Sequence, residues 1–346
     1  MHLARVTIRD IARESGVSVG TVSKYLSGRT DLREKNRIAI RSAIEGLDYR
    51  VNMVARCLAQ KPIKLGVLLP STFDGYFDPM LEGMRSVAES LADHKLTAVY
   101  ERYRGYDDEE KVTQTLGRFI EEGVNGIILA PSRLGRLRDV VQQLEDRRIP
   151  ILFVVSDSTE VRRLACIGVD AELSGRIAAD LAGFALREGG TAATFIGNRD
   201  IVEHRVKSDS FAAGCGERGL RVLPPFETQD DSALAYRLAK CALGDHQDLK
   251  LIYVATGNSV AVCRAIGDCG KRGDVHVIAT DARRELRPYV ESGVVIGILD
   301  QHLHDQGRLA VNILYRYLAE SVLEREDIAL PPTLLLKSAI LKKWAE

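Results

Sequence analysis

A small all-α front followed by a larger α/β core of two subdomains is the fold class that the sequence predicts, and three observations predict it. The first is length: 346 residues exceed what one compact core usually organises, so two or three folding units are expected. The second is a change of texture near residue 62, where short patterns at helical spacing give way to compact apolar runs alternating with longer amphipathic segments. The third is charge. The chain carries 48 Lys+Arg against 48 Asp+Glu, yet residues 1–64 hold thirteen against six, a net of +7 that leaves the remainder at −7. A basic front on an acidic body points to a polyanion as partner of the front alone.

The front reads as three short helices around one small core. Thr7 and Asp10 form a capping pair, Ile8, Ile11 and Ala12 recur at helical spacing, and Gly16 stops the first helix. Ser18 caps a second, whose Val22 and Leu26 point inward, and Ile40, Ala43, Ile44 and Leu47 give the third its apolar stripe. A helix-turn-helix needs a small residue where its helices approach, a turn residue that tolerates positive φ, and an apolar anchor on the second helix. Ala12, Gly16 and Val22 stand in those places at spacings of four and six. The second helix is then expected to enter a DNA major groove N-terminus first. Val19, Gly20 and Lys24 are the candidate base readers: Val19 for a thymine methyl, Gly20 for close backbone approach, Lys24 for guanine O6 or N7. Lys24 suits a phosphate equally well. Ser18, Thr21, Ser23 and Arg37 are candidate phosphate contacts, with Arg29, Arg33 and Lys35 as further backbone neutralisers.

Beyond residue 62, nine runs (KLGVLLP, LTAVY, NGIILAP, PILFVV, ACIGV, TAATFIG, LKLIYVAT, VHVIATD and VVIGILD) are each followed by a helical pattern or a turn. Runs buried on both faces and separated by helices predict parallel sheets. Nine strands exceed one typical sheet, so two Rossmann-like subdomains are expected, with the first crossing between them at CIGVDAELS, 166–174. A cleft between two such lobes lies at the carboxyl ends of their strands. Polar and aromatic residues just after the apolar runs are therefore the candidate ligand contacts: Asp74, Tyr76, Phe77, Arg205, Lys207, Asn258, Asp281 and Gln301. Aromatic surface ringed by Asp, Asn, Gln and a cation suits a polyhydroxylated ligand, whose hydroxyls both donate and accept. Asp74 reads equally as a turn residue, and Tyr76 and Phe77 equally as core. Asp157, after PILFVV, reads as structural.

VTIRDIARESGVSVGTVSKYLSG followed by LDYRVNMVARCLA resembles the headpiece and hinge of the lactose and purine repressor (LacI/GalR) family. The α/β remainder is similar to that family's core, which is periplasmic binding protein type I-like. The resemblance implies a helix-turn-helix domain over 1–50, a hinge helix and linker over 51–62, and an effector-binding and dimerisation core over 63–346. Within the core it implies a first subdomain of about 63–168 plus a returning segment near 300–325, and a second of about 169–298 plus the C-terminal strands. It places Val19, Gly20 and Lys24 on base-reading positions, with glycine a departure at the second. It makes Asn52, Ala55 and Leu58 hinge residues and Leu58 a minor-groove wedge; Val51 stands where proline is usual. In the core it implies that Asp281, Gln301 and either Arg205 or Lys207 face the effector, and it makes the alignment loose at Asn258. The implied protein is a homodimeric repressor on a pseudo-palindromic double-stranded operator, controlled by a small molecule. A sugar or polyol is the first expectation, and a nucleoside or no effector at all the alternatives. No leucine repeat, which some relatives in the family it resembles use to tetramerise, follows LPPTLLLKSAIL, the final strand-like segment.

Other classes find little support in the residues. No apolar run approaches the length of a membrane span, and MHLARVTIRD lacks a secretory apolar region, so a cytoplasmic protein with no membrane partner is expected. The six cysteines form no C-x-x-C pair, and His302 and His304 lack metalloprotease spacing. No phosphate-cradling loop occurs, and REGG reads as a turn. Neither enzyme activity, metal nor cofactor is expected. A solute-binding protein would share the core but not the front.

Overall fold

The computed structural model describes residues 6–26, 32–47, 49, 61–71, 75–105, 108–131, 137–158, 161–323 and 327–345. The front comprises α1 (Ile8–Ser15), α2 (Val19–Leu26) and α3 (Glu34–Gly46). α1 begins where the Thr7 amide donates to the Asp10 carboxylate at 2.9 Å, and it ends at Gly16, whose φ of 66° is left-handed. Ile11, Ala12, Val22, Ile40, Ala43 and Tyr49 form the buried core. Leu26, Ile44 and Leu47 pack against it half-buried.

The first lobe is a six-stranded sheet, parallel throughout. In chain order it takes β1 (Ile63–Pro70), α4 (Asp78–Ser90), β2 (Leu96–Tyr103), α5 (Glu109–Glu121), β3 (Gly126–Leu129), α6 (Arg138–Asp146), β4 (Ile151–Val155) and β5 (Ala165–Val169). The second lobe takes α7 (Ala171–Ala185), β6 (Thr191–Ile196), α8 (Val202–Gly216), β7 (Arg221–Val222), β8 (Phe226–Glu227), α9 (Ser232–Asp245), β9 (Leu249–Val254), α10 (Ser259–Asp268), β10 (His276–Thr280), α11 (Arg287–Glu291) and β11 (Val295–Asp300). α12 (Leu303–Glu320) and β12 (Asp327–Leu330) return to the first lobe, and β13 (Thr333–Leu335) and α13 (Lys337–Lys343) to the second. The sheet orders are β12-β5-β4-β3-β1-β2 and β13-β11-β10-β9-β6-β7, with β8 also on β6. All nine apolar runs are strands.

Three details depart from the sequence reading. The return to the first lobe, expected near 300–325, runs on to Leu330, because β12 pairs in parallel with β5. Asp327 anchors it, accepting the Cys166 amide at 3.0 Å and pairing with Arg163 at 2.7 Å. Only one of the two C-terminal strands therefore belongs to the second lobe. The tail of LPPTLLLKSAIL is helical rather than extended: α13 sinks Ile340, and Trp344 just after it, into the second core. α12 begins at Leu303, so His302 caps it and His304 sits in its first turn.

Each sheet is covered on both faces, which is why its strands read as continuous apolar runs. α12 and α4 cross at contact distance on one face of the first sheet. A methyl on Gly83 would lie 2.1 Å from the His304 carbonyl oxygen, and one on Gly307 2.1 Å from that of Met80.

The chain passes between lobes three times: at Asp170, at Gln301–His302 and at Pro331–Pro332. The passages are tied together. The Asp170 amide donates to the Leu330 carbonyl at 2.7 Å, and His302 Nε2 meets Thr333 Oγ1 at 2.9 Å.

Candidate DNA reader and effector cleft

On α2 the candidate readers Val19, Gly20 and Lys24 are exposed, as is Ser23. Val22 faces the opposite way and is fully buried. Val19, a large apolar residue, is 46 % exposed, an arrangement that gains nothing from folding and fits a surface awaiting a partner. Gly20 has no internal reason to be glycine, since a methyl there would meet only Ser18 Oγ at 3.8 Å. Ser18 Oγ accepts the Thr21 amide at 3.1 Å and lies 2.8 Å from Thr21 Oγ1. The Ser18 hydroxyl therefore caps the helix, with Thr21 Oγ1 beside it. Arg37, half-buried on α3, stands 3.8 Å from Glu34. The hinge residues Asn52, Ala55 and Leu58, with Val51 beside them, lie outside the described residues, as does Asp74.

In the core, five side chains from both lobes form one buried network. Gln301, at the second crossing, is its centre. Its Nε2 donates to Tyr76 Oη at 2.8 Å and to Asp281 Oδ2 at 2.7 Å, its amide donates to Asp281 Oδ1 at 2.9 Å, and its Oε1 accepts from Lys207 Nζ. Lys207 also donates to Glu203, one turn earlier on α8. Tyr76 stands before α4 of the first lobe; the partners on α8 and at the end of β10 belong to the second. Burial dominates the electrostatics. It pushes the Asp281 carboxyl upward, helped by Asp300 and opposed by the Gln301 donors and Lys207. Burial, then the nearby Asp281, holds the Tyr76 phenol well above its ordinary value.

Beside this network lies a cavity of about 60 Å³ lined by Tyr76, Phe77, Tyr103, Glu203, His204 and Asp230 among others. His204 Nδ1 accepts the Asn198 amide at 3.3 Å, which assigns the imidazole proton to Nε2. On the first-lobe side Val155 adopts φ 71°, a strained conformation for a β-branched residue. The turn aims Ser156, whose Oγ accepts the Glu203 amide across the cleft at 3.3 Å. A larger, open depression of about 690 Å³ lies on the other side of Tyr76 and Asp281, between Glu82, Arg284, Asp300 and His304.

The cleft thus gathers Tyr76, Phe77, Lys207, Asp281 and Gln301, and separates two other candidates from them. Arg205 turns its guanidinium to the Arg199 carbonyl at 3.1 Å, because its place two residues from both Glu203 and Lys207 carries it off the face of α8 that those two share. Asn258 is buried inside the second lobe, donating to Thr228 Oγ1 at 2.7 Å. Its Oδ1 lies 3.3 Å from Ser232 Oγ, so it braces β8, α9 and α10. Asp157 is clamped by Arg163 at 2.6 and 2.5 Å. Sequence reading missed Ser156, Glu203, His204, Tyr103 and Asp230. Only Glu203 carried a signal, its four-residue spacing from Lys207.

Comparison with known proteins decides the family. The family described as "Bacterial regulatory proteins, lacI family" matches residues 7–52, and the "Periplasmic binding protein domain" family matches 65–321. The chain belongs to the lacI family of bacterial regulatory proteins. Relatives run the length of this lacI-family regulator. Catabolite control protein A of Streptococcus mutans is 25 % identical over 94 % of this chain and 95 % of its own, and that of Staphylococcus xylosus 22 % over 94 % and 96 %. Among solved structures, a solute-binding protein of Burkholderia graminis in complex with D-arabinose superposes with a TM-score of 0.73 at 23 % identity. It covers 81 % of this chain and 96 % of its own. One from Agrobacterium vitis with bound D-fucose gives 0.74 at 19 %, covering 82 % and 98 %. These likenesses show the fold of the core. The regulator therefore joins a DNA-binding helix-turn-helix domain to a two-lobed binding domain. Among the described residues no helix is long and apolar enough to cross a membrane.

Proposed function

We propose that this protein is a transcriptional repressor that binds a pseudo-palindromic operator as a homodimer, with Val19, Gly20 and Lys24 reading bases. A neutral polyhydroxylated molecule, a sugar or polyol, bound between the lobes sets its DNA affinity. The observation that carries the effector reading is the convergence of Tyr76, Lys207, Asp281 and Gln301 from both lobes on one cleft, beside the apolar rings of Phe77 and Tyr103. Amide, carboxylate, ammonium and phenol in one place supply both donors and acceptors, as vicinal hydroxyls require. The fold neighbours carry D-arabinose, D-fucose and, in a Bacillus halodurans solute-binding protein, myo-inositol, which supports the class without choosing a member.

Control follows from linkage. A ligand that prefers one lobe arrangement changes DNA affinity by its differential affinity for the two, typically about 1–3 kcal/mol. The test has two parts: selection of operator from random duplexes, then titration of full-length protein on that operator by fluorescence anisotropy against a panel of sugars, polyols, nucleosides and amino acids. A sugar or polyol that shifts operator affinity at least five-fold is the expected result. A shift produced by a nucleoside or amino acid alone overturns the effector class, and the absence of any selected sequence overturns the DNA reading.

A further inference from the structure

The cleft has closed on itself. Effector pockets measure about 300–1,000 Å³, whereas the cavity between Tyr76 and Glu203 holds about 60 Å³, and the depression of about 690 Å³ on the far side of Tyr76 and Asp281 is open. Lys207 is 1 % exposed and Glu203 6 %, so the centre of the cleft is filled by protein. What fills it is a chain of contacts from one lobe to the other and back. Ser156 of the first lobe accepts the Glu203 amide, the Glu203 carboxylate holds Lys207, Lys207 holds Gln301, and Gln301 donates to Tyr76 of the first lobe. Both Nε2 hydrogens of Gln301 are committed, its Oε1 accepts from Lys207, and its backbone carbonyl accepts from Gln306 Nε2 at 2.9 Å. A group entering the cleft finds no donor on Gln301 to spare.

We propose that Lys207 and Tyr76 form an internal latch: as partners of Gln301 they occupy the effector's place, and the Tyr76–Gln301 and Ser156–Glu203 bonds hold the lobes together. A buried ion pair is a poor source of stability compared with apolar residues of the same volume, so the Glu203–Lys207 pair on the cleft face of α8 fits a device whose contacts are meant to be exchanged. An effector enters by replacing Lys207 and Tyr76 as partners of Gln301, and its binding reads as competition with the protein's own side chains. The inference rests on the reading of this cleft as the effector site, but its test needs no effector.

Amide hydrogen exchange of the full-length protein, with no ligand added, measures the opening directly. Two variants are compared with wild type. Tyr76→Phe removes the phenol's cross-lobe hydrogen bonds to Gln301 and Asp281 and leaves Gln301 on Asp281. The double variant Glu203→Gln with Lys207→Met removes both charges of the pair, so neither strands the other. Loss of these bonds is expected to accelerate exchange across residues 201–206 at least about five-fold in Tyr76→Phe. The double variant is expected to exceed that, with β9 protected as in wild type. Wild-type exchange across 201–206 in Tyr76→Phe overturns the latch, and Tyr76→Phe decides alone if the double variant fails to fold. A sugar panel without hits would end the effector reading and leave the exchange result untouched. Unchanged exchange would end the latch and leave the effector reading in place.

Discussion

Gly20→Ala sets stability against function at a single atom. A methyl at this position meets nothing nearer than Ser18 Oγ at 3.8 Å, in ordinary van der Waals contact. The substitution therefore introduces no clash and removes glycine's entropic handicap, which amounts to roughly 0.5–1 kcal/mol in a helix interior. Gly20 is in the first turn of α2, so a gain of about 0.5 kcal/mol in headpiece stability is expected. On DNA the sign reverses. If the α2 backbone at Gly20 touches a base edge, the methyl overpacks that contact at about 1–3 kcal/mol, a loss of roughly five- to 150-fold in operator affinity. Denaturant unfolding of the headpiece transition gives the first number. Fluorescence anisotropy on selected operator and on a scrambled duplex, at one fixed salt concentration, gives the second. The expected pattern is a more stable protein, weaker on operator and unchanged on scrambled DNA. Undiminished operator affinity would refute the close approach, and a destabilised headpiece would refute the geometry from which it is argued.

Other consequences are as direct. Gly307→Ala drives a methyl into the Met80 carbonyl and should cost about 1–3 kcal/mol of core stability; Gly117→Ala, inside α5 with open space around it, is the control and should instead gain about 0.5–1 kcal/mol in thermal unfolding. Asp157 is held below its ordinary value chiefly by its hydrogen bonds to Arg163. Its stabilisation is complete above the unfolded carboxylate range and is lost as pH falls through the lower folded value. Arg163→Gln should flatten that acid limb of the stability curve, by about 1 kcal/mol at this partly exposed pair. Leu58→Ala should abolish preference for operator over scrambled duplex while weak, salt-sensitive binding persists, measured by anisotropy across a salt series.

Much of the fold was legible because it rests on short-range periodicity. Eight of the nine apolar runs are buried nearly throughout and announce themselves, LTAVY at the sheet edge being half-buried, and Thr7, Asp10 and Gly16 punctuate α1 by local chemistry alone. The parts that escaped depend on distant partners. β7 and β8 are two residues each, too short for any pattern, and DIAL becomes a strand only because β5 offers an edge. KSAILKK folds as a helix because Ile340 and Trp344 find a pocket in the second lobe. The site divides the same way. Asp281 and Gln301 follow strands directly and were readable; Ser156 depends on a left-handed Val155, and Glu203 looks like any acid on a helix until Lys207 and Gln301 close over it.

The three passages between the lobes have a mechanical consequence. A single connection would let one lobe swivel in any direction, and two would still allow twisting about the line through them. Three backbone segments, cross-tied at Asp170–Leu330 and His302–Thr333 and stiffened by adjacent prolines, restrict the relative motion to rocking about a common pivot. Whatever the cleft senses is delivered to the DNA end as an angle.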